Sequence, residues 1–560
     1  MRLWWETLPG LRQAEMDAFE ARGWRVRVDP AAEAQGFLVV HVEFPLDGEA
    51  LPLRVAYPAQ FPYFRPAVYA PPGRFPEHQN PIDGVLCLLG PRTQEWHPET
   101  TVAGFLEERI PALLDAIDGG RPLVEQQAEI RAGYLPYDDP SYVLFDSAWA
   151  PPAGARSGSL VAKGALLASG ERLLLRMAIT KAKTGGREIP VEVVPFQSAP
   201  GSFTIEFPFA VVDGLDMEEK PDAHWAKVAH LFPGLDRRLK ESTVGGKKWQ
   251  FAVAALLAAE EIQKGIRGFS FVTFLIHRPK GTRDFRVARI RGLRAGRQDM
   301  GARVPATQIL RDRHVLLVGC GAIGGQIAVE LSKAGLGRLT LFDYDHVEPG
   351  PTVRWPLGQS FFGESKSAAL AAHIKQHWPQ AKVTAYTGVV GGAAVPEGPV
   401  EGVTLDEVME GVHLVIDATA EVGVQHYMSD RCREVGIPYI YASATPGAKG
   451  GIVARFMPRD GQGCWFCLQH AMYQDGAIQE PGHDDAAEVL PAGCNHPTFA
   501  GAGYDLLEVS LQGVRMAVQA LDPRRTAETF AAVLDFKEEL GLPAWRAHGV
   551  PRFGGCECQG

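Results

Sequence analysis

The stretch 314–324 reads His-Val-Leu-Leu-Val-Gly-Cys-Gly-Ala-Ile-Gly, and it decides the fold of the C-terminal block. The apolar residues up to Val318 predict a buried strand, and the glycines that follow predict a tight turn into a helix that runs to Ala334. A second apolar run, Leu339–Asp343, predicts the next strand. Strand, glycine turn, helix and strand form a βαβ unit, so we predict an α/β domain of the Rossmann-like kind over residues 305–560.

The glycines of this turn predict a nucleotide site. Gly319, Gly321 and Gly324 follow a strand directly and open a helix, where a phosphate can approach backbone N–H groups at the helix N-terminus. Asp343 ends the next strand about 20 residues later, where an acid would hold a ribose hydroxyl. These features alone leave two alternatives open, a nicotinamide-dependent dehydrogenase and a glycine turn that merely permits close packing.

The residues that follow Asp343 help to decide between these alternatives for the nucleotide site. Arg354 follows Asp343, and Lys366 ends the tetrapeptide Gly-Glu-Ser-Lys. Here the block resembles the ThiF-like adenylating enzymes, the superfamily that includes ubiquitin-activating enzymes and the adenylyltransferases of molybdopterin and thiamine synthesis. The resemblance implies that ATP is bound, that Asp343 holds the ribose, and that Arg354 and Lys366 neutralise the phosphates. The alternative for both cations is a solvated surface position.

The same resemblance implies a Mg²⁺ ion. The family usually has a second acid after the strand that ends at Asp417, where this chain reads Ala-Thr-Ala-Glu over 418–421. An asparagine that usually lies three residues before the arginine is replaced by Pro351. Asp417 is therefore our candidate for helping Mg²⁺, with a purely structural strand-end acid as the alternative.

Two tight cysteine pairs lie towards the C-terminus. Cys464 and Cys467 form a CxxC motif, and Cys556 and Cys558 a CxC motif. Four thiolates from two such pairs are most often occupied by tetrahedral Zn²⁺, and similar adenylating enzymes place one pair before the reactive cysteine and one at the extreme C-terminus. We predict a structural zinc site, with uncoordinated or redox-active thiols as the alternative.

Cys494 lies between the two pairs, ahead of a predicted helix over Tyr504–Leu521. In the resembling enzymes this is the position of the acyl-accepting or sulfur-bearing cysteine. A thiol near a helix N-terminus is more acidic than usual and attacks an acyl-adenylate readily. We predict that Cys494 is a nucleophile, and the alternative is a small buried hydrophobic residue.

The N-terminal block has its own ordered set of motifs. Residues 57–66 are rich in proline and aromatic residues, residues 78–80 read His-Gln-Asn, Cys87 follows, and residues 96–98 read Trp-His-Pro. Over roughly residues 30–120 this order resembles the ubiquitin-conjugating enzymes. The resemblance implies that Cys87 carries a thioester and that the amide of Asn80 stabilises the oxyanion when an amine attacks. The alternative is a proline-rich loop with one buried cysteine.

Glycine- and proline-rich breaks near 148–159 and 301–305 divide the 560 residues into three predicted domains. They are an α+β ubiquitin-conjugating-like domain (1–147), an α+β middle domain (148–304) and the adenylation domain (305–560). For the middle domain we predict an apolar helix around Phe251–Leu257 and a role as spacer or docking domain. The net charge of −10 provides no general electrostatic reason to expect a nucleic-acid partner. The sequence has no apolar run long enough for a membrane helix, which predicts a soluble protein without a membrane span. The charged Glu6 interrupts the position where a signal peptide would be apolar, which predicts a cytoplasmic protein.

As a whole the chain resembles a bacterial fusion of a ubiquitin-conjugating-enzyme-like domain with a ThiF-like activating domain, similar to those of CBASS-type antiviral-defence operons. The resemblance implies a transferase that adenylates the C-terminal carboxylate of a ubiquitin-like protein, captures it on Cys494, passes it to Cys87 and joins it to a target lysine. It also implies a homodimer through the adenylation domain. The alternatives are adenylation of a ubiquitin-like sulfur carrier for sulfur transfer, a nicotinamide dehydrogenase, and a non-catalytic nucleotide-binding scaffold.

Overall fold

A computed structural model describes most of the chain, and it contains two compact units, Met1–Gly296 and Arg297–Gly560. None of the helices in the described residues is both long and apolar enough to span a bilayer. The described ranges are 3–46, 48–88, 96–118, 130–138, 140–191, 203–263, 266–301, 303–392, 397–400, 402–458, 461–489, 498–537 and 541–559.

The first unit begins with an antiparallel four-stranded sheet flanked by helices. The sheet has the order β1-β2-β3-β4, and alternate residues of β2 and β3 are buried against the helices. Glu15 joins these parts, because its carboxylate accepts hydrogen bonds from the Tyr57 hydroxyl at 2.9 Å and from the Val102 N–H at 3.1 Å. The elements are α1 (Trp4–Thr7), α2 (Pro9–Glu20), β1 (Arg25–Val28), α3 (Pro30–Ala34), β2 (Val39–Leu46), β3 (Glu49–Ala56), β4 (Ala67–Tyr69) and α4 (Val102–Ile117).

A nine-stranded sheet forms the rest of the first unit. Seven of its strands pair in a closed ring, in the order β11-β12-β13-β5-β7-β6-β9 and back to β11, so that this part is a β-barrel. The strands β10 and β8 extend it at β11 and β7. The elements are β5 (Tyr142–Phe145), β6 (Ser157–Ser169), β7 (Arg172–Thr184), β8 (Arg187–Pro190), β9 (Phe203–Val212), α5 (Pro221–Val228), β10 (Lys240–Val244), β11 (Lys247–Gln263), β12 (Ile266–Pro279) and β13 (Arg286–Arg294).

The apolar helix predicted around Phe251–Leu257 is wrong, because this segment is the centre of strand β11. Its odd-numbered residues pack in the barrel core, and Ala254 and Leu256 pack in a second cluster that contains Val228 of α5. Burial on both faces removes the polar alternation that identifies a strand, and a continuous apolar run does not distinguish helix from strand. The strand β5 also belongs to the barrel, so the barrel begins before residue 148.

The second unit is an α/β domain around an eight-stranded sheet of order β16-β15-β14-β17-β18-β19-β22-β23, parallel through β18 and antiparallel beyond it. It begins at Arg297, eight residues before the predicted boundary at 305. The elements are α6 (Arg297–Gly301), β14 (His314–Val318), α7 (Ala322–Lys333), β15 (Arg338–Asp343), α8 (Lys366–His377), β16 (Lys382–Thr387), α9 (Leu405–Met409), β17 (Leu414–Asp417), α10 (Val422–Val435), β18 (Tyr439–Ala444), β19 (Gly450–Phe456), α11 (Trp465–Tyr473), β20 (Glu488–Val489), β21 (Thr498–Phe499), α12 (Gly503–Leu521), β22 (Phe530–Lys537) and β23 (Leu542–Gly549).

Candidate functional site

The glycine turn lies at the carboxyl end of β14, between the neighbouring strands β15 and β17. Gly319 has a φ of +87°, and a Cβ there would lie 2.7 Å from the carbonyl carbon of Ala418. A Cβ on Gly324 would lie 1.9 Å from the carbonyl oxygen of Gly319. These two glycines are therefore required by the fold itself, because the turn packs too closely against Ala418 on one side and the start of α7 on the other for any side chain.

Gly321 differs from these two glycines, because its open side faces free space. It precedes the first residue of α7 in an ordinary extended conformation, and a Cβ built on it would meet no atom within 4 Å. The first turn of a 12-residue helix offers backbone N–H groups at this point. The turn thus combines two glycines that hold its shape with one that leaves room at a helix N-terminus.

Asp343 connects the turn to the next strand. One carboxylate oxygen accepts the Cys320 N–H at 2.5 Å, and the other accepts the Asp345 N–H at 2.7 Å. Burial raises the pKa of Asp343, and these two hydrogen bonds act against that rise. Asp345 in turn accepts a hydrogen bond from the ammonium group of Lys366, the first residue of α8. The predicted ribose acid and the predicted phosphate lysine therefore lie in one hydrogen-bonded network with the glycine turn.

Arg354 is half-buried on the segment that leads from Asp343 to α8, and burial lowers its pKa. The adjacent Trp355 donates its indole N–H to the carbonyl of Cys320 at 2.7 Å, which ties this segment to the glycine turn. Gly503, at the start of α12, packs against the same segment, since a Cβ on it would lie 3.2 Å from the Cα of Arg354. The sequence did not single out Trp355, although it anchors the predicted arginine.

Asp417 ends β17 and is fully buried. One carboxylate oxygen accepts the N–H and hydroxyl of Thr419 at 2.9 and 2.7 Å, and the other accepts the Tyr439 hydroxyl at 3.1 Å. Burial raises the pKa of Asp417 to about 6. A carboxylate with no exposed surface and both oxygens bonded inside the protein does not fit a Mg²⁺ ligand, so the structure favours the structural alternative for Asp417.

Replacing Asp417 by Asn is expected to raise the free energy of unfolding of the second unit, relative to that of the wild type, as the pH rises from about 4 to 7. The native carboxyl has a pKa of about 6 and the unfolded one a pKa of about 4, so the native state binds more protons in this window and loses stability as the pH rises. This pKa difference corresponds to a loss of at most about 3 kcal/mol of stability in the wild type. The Asn variant has no titrating carboxyl at this position and does not undergo this loss. Urea unfolding of the second unit at pH 4.5 and 7.5 measures the difference. A pH-independent effect of Asp417→Asn would contradict the assignment.

The four paired cysteines come together as predicted. Their sulfur atoms all lie within 4.8 Å of one another, with 3.9 Å between Cys464 and Cys467, 3.6 Å between Cys464 and Cys556, and 3.5 Å between Cys467 and Cys558. Tetrahedral zinc with Zn–S bonds of about 2.3 Å places its sulfurs about 3.8 Å apart. The donor set therefore fits structural Zn²⁺, which would join the start of α11 to the C-terminal segment. Cys320 and Cys432 are buried elsewhere as packing residues.

The wild-type protein is expected to contain about one zinc ion per chain, and the double variant Cys556→Ser/Cys558→Ser much less. Removal of the metal is expected to lower the midpoint of thermal unfolding of the second unit by at least about 5 °C, because metal binding contributes to folding free energy. Elemental analysis and calorimetry measure both quantities. The control Cys432→Ala should retain its zinc, and a folded wild-type protein without metal would rule the site out.

Cys494 lies outside the described residues. The helix predicted after it is present as α12, which starts one residue earlier, at Gly503. Because Gly503 packs against Arg354, the N-terminus of α12 lies near the segment that Trp355 ties to the glycine turn.

In the N-terminal block, residues 78–80 run antiparallel to 85–87. Gln79 pairs with Leu86, the Asn80 N–H donates to the Val85 carbonyl at 2.8 Å, and the Cys87 N–H donates to the His78 carbonyl at 2.8 Å. The side chains of Gln79 and Leu86 are buried. Asn80 and Cys87 alternate with them and are both half-buried, which places them on the outer side of the same short pairing.

The side chain of Gln79 holds this loop in shape. Its amide oxygen accepts the Phe75 N–H at 2.9 Å, and its amide nitrogen donates to the Pro71 carbonyl at 2.9 Å. The oxygen of Asn80 accepts the Ile82 N–H at 2.9 Å, which fixes that side chain too. Gln79 stands where the resembling family has proline, and its role as a rigid support through the side-chain amide could not be predicted from the sequence.

The proline-rich segment and the tryptophan motif also meet. Trp96 donates its indole N–H to the carbonyl of Pro62 at 2.7 Å, and its ring lies 6.1 Å from that of Phe61. Tyr63 and Phe64, next along the chain, are largely exposed. The four motifs recognised in the sequence thus form two contacting pairs, residues 57–66 with Trp96 and residues 78–80 with Cys87.

This chain is similar in sequence to known proteins, in some cases over almost its whole length. The protein y4oA of Sinorhizobium fredii is 30% identical over 588 aligned positions, which cover 99% of this chain and 97% of y4oA. The ATP-dependent ubiquitin transferase-like protein Cap2 of Pseudomonas aeruginosa is 29% identical over 173 residues, 30% of this chain and 29% of Cap2. The adenylyltransferase and sulfurtransferase MOCS3 of Mus musculus is 34% identical over 131 residues, 23% of this chain and 26% of MOCS3. The ThiF family matches residues 296–495. The chain therefore belongs to the family of y4oA, and its C-terminal half contains a ThiF domain.

Proposed function

We propose that the second unit uses ATP to adenylate the C-terminal carboxylate of a small ubiquitin-like protein, and that the chain then transfers the acyl group through Cys494 and Cys87 to an amine. The ThiF match and the similarity to Cap2 and MOCS3 support the adenylation step. The observation that carries the proposal is the open space beside Gly321 at the start of α7, in the same network as Asp343 and Lys366.

The residues of the second unit have distinct tasks in the first step. A carboxylate oxygen of the small protein attacks the α-phosphorus of ATP, and pyrophosphate leaves. Backbone N–H groups at the start of α7 bind phosphate oxygens, while Arg354 and Lys366 stabilise the negative charge that builds on the leaving group. Asp343 orients the turn, because its carboxylate accepts hydrogen bonds from the N–H groups of Cys320 and Asp345. The Cys494 thiolate then attacks the acyl carbon, and AMP leaves.

The N-terminal block performs the second half of the reaction. The Cys87 thiolate attacks the thioester on Cys494, which releases the Cys494 thiolate. An amine of the target then attacks the new thioester and loses a proton, the C–S bond breaks, and the Cys87 thiolate leaves. The amide of Asn80 stabilises the oxyanion of that last attack. Transfer of the acyl group from one thiol to another has almost no net free-energy change. The driving force for ligation therefore comes from the ATP that is consumed in the adenylation step. One chain that holds both thiols raises the effective concentration of the second.

Replacing Gly321 by Ala tests the nucleotide site without a folding defect. The added methyl group meets no protein atom and needs no unusual backbone angle, but it occupies the space where a phosphate would approach. We expect the Kd for ATP to rise at least about tenfold, since one misplaced contact in a phosphate site costs more than about 1.4 kcal/mol. Calorimetric titration with ATP·Mg²⁺ measures it.

The matched control is Gly358→Ala. Gly358 also precedes a helical turn in extended conformation with free space around it, but it lies outside the glycine turn. Both variants should unfold at the wild-type temperature. If Gly321→Ala binds ATP as the wild type does, the space beside Gly321 is not the phosphate site and the adenylation proposal loses its main support.

Adenylation of a sulfur carrier is the second candidate, because the similar protein MOCS3 is named an adenylyltransferase and sulfurtransferase. That function has no use for Cys87 and Asn80. The two functions therefore differ in whether Cys87 becomes acylated.

A further inference from the structure

The acids at the carboxyl edge of the parallel sheet differ sharply in accessibility. Asp343 and Asp417 are buried, and both oxygens of each accept hydrogen bonds from within the protein. Ala420, in the segment where the resembling family has a further acid, has no ligand group. A cation that accompanies the nucleotide therefore finds no accessible carboxylate at these three positions.

Asp345 is the accessible acid of this network, with 45% of its side chain exposed. One carboxylate oxygen accepts the N–H of His346 at 2.8 Å, and the other accepts the ammonium of Lys366. Its backbone is also fixed, because its carbonyl accepts the Lys366 N–H at 2.9 Å and its N–H donates to Asp343 at 2.7 Å. The carboxylate is thus held beside the glycine turn from both sides.

The ion pair matters for Lys366, because only 11% of the lysine side chain is exposed and water solvates its ammonium group poorly. A buried ammonium needs a counter-charge, and Asp345 supplies it. The triphosphate of ATP would compete for the same ammonium. If the lysine turns to the phosphates, the Asp345 carboxylate is left next to further negative charge, which is unfavourable unless a cation joins it.

Mg²⁺ is suited to this position, because it binds through one or two carboxylates together with substrate phosphates. We propose that Asp345 has two successive partners: it neutralises Lys366 while the site is empty, and it binds the Mg²⁺ of ATP·Mg²⁺ once Lys366 has turned to the phosphates. This inference rests on the proposed ATP site. It assigns to Asp345 the role that the sequence assigned to Asp417.

The test is the effect of Mg²⁺ on ATP affinity, measured by calorimetric titration with ATP plus Mg²⁺ and with ATP plus EDTA. In the wild type Mg²⁺ should tighten binding at least about tenfold, because it restores a partner to Asp345. Asp345→Asn keeps the size of the side chain and removes its charge. We expect this variant to bind metal-free ATP several-fold more tightly than the wild type, because Lys366 is already released, and to gain less than about twofold from Mg²⁺.

Two matched variants separate this role from others at the same edge. Asp417→Asn and Glu421→Gln, the latter at an exposed acid before α10, should keep the wild-type response to Mg²⁺. The inference is wrong if Asp345→Asn keeps the full Mg²⁺ effect, if it weakens both affinities equally, or if Glu421→Gln abolishes the effect instead. A wild-type chain that binds no ATP under either condition would contradict the proposed function itself, so the two failures are distinguishable.

Discussion

Replacing Cys87 by Ala is expected to abolish transfer of the small protein to an amine, by at least about 1,000-fold, while ATP consumption and acylation of Cys494 continue. The reason is chemical: without the Cys87 sulfur the thioester has no acceptor in the N-terminal block. The fold should survive, since Cys87 is half-buried and the loop is held by backbone pairing with His78 and by the Gln79 side chain. The measurement is formation of the amide product, followed by gel electrophoresis under reducing conditions.

The control for this experiment is Cys432→Ala, which removes a buried thiol remote in sequence from both proposed nucleophiles and should leave ligation intact. Cys87→Ser is a second informative variant, because a serine oxygen forms an ester that resists thiol reagents and traps the intermediate. If Cys87→Ala ligates at the wild-type rate, the N-terminal block does not carry the acyl group, and adenylation of a sulfur carrier becomes the better explanation.

Gly324→Ala should have the largest effect on stability among single methyl additions at the glycine turn. Its Cβ would lie 1.9 Å from the carbonyl oxygen of Gly319 and 3.0 Å from the carbonyl carbon, so α7 or the turn must shift. We expect a loss of about 3 kcal/mol or more, which corresponds to a fall of roughly 6–12 °C in the unfolding temperature of the second unit. Differential scanning calorimetry measures it.

Gly321→Ala provides the internal comparison for this result. The two variants add the same atom to the same turn, but one meets backbone and the other meets open space. Loss of stability in Gly324→Ala with none in Gly321→Ala would agree with the structure. Equal stabilities of the two variants would show that the turn is not packed as described.

The sequence predicted the nucleotide-binding elements well, because local patterns determine them. The strand and helix around the glycine turn and the strand that ends at Asp417 lie where the apolar pattern places them. The convergence of the four paired cysteines was also predictable, since two closely spaced thiol pairs commonly provide the four ligands of one tetrahedral metal ion. In the N-terminal block, the order of four motifs along the chain indicated residues that do come into contact.

Features that depend on distant pairings could not be read in the same way. The closure of the barrel requires β9 and β11 to pair in parallel, and nothing in either segment alone specifies it. The burial of Asp417 was also hidden, because a strand-end acid is accessible or enclosed depending on Tyr439, which lies on the neighbouring strand. The ion pair of Asp345 with Lys366 likewise joins residues that are 21 positions apart in the sequence.

The central claim is that one chain activates a carboxylate and relays it from Cys494 to Cys87. Intact-mass measurement under non-reducing conditions tests it on the wild type, Cys494→Ala and Cys87→Ala, each incubated with ATP·Mg²⁺ and a small ubiquitin-like protein. The account predicts an ATP-dependent adduct, removed by thiol reagents, that is absent from Cys87 in Cys494→Ala and present on Cys494 in Cys87→Ala. Consumption of ATP without an adduct on either cysteine would contradict the relay.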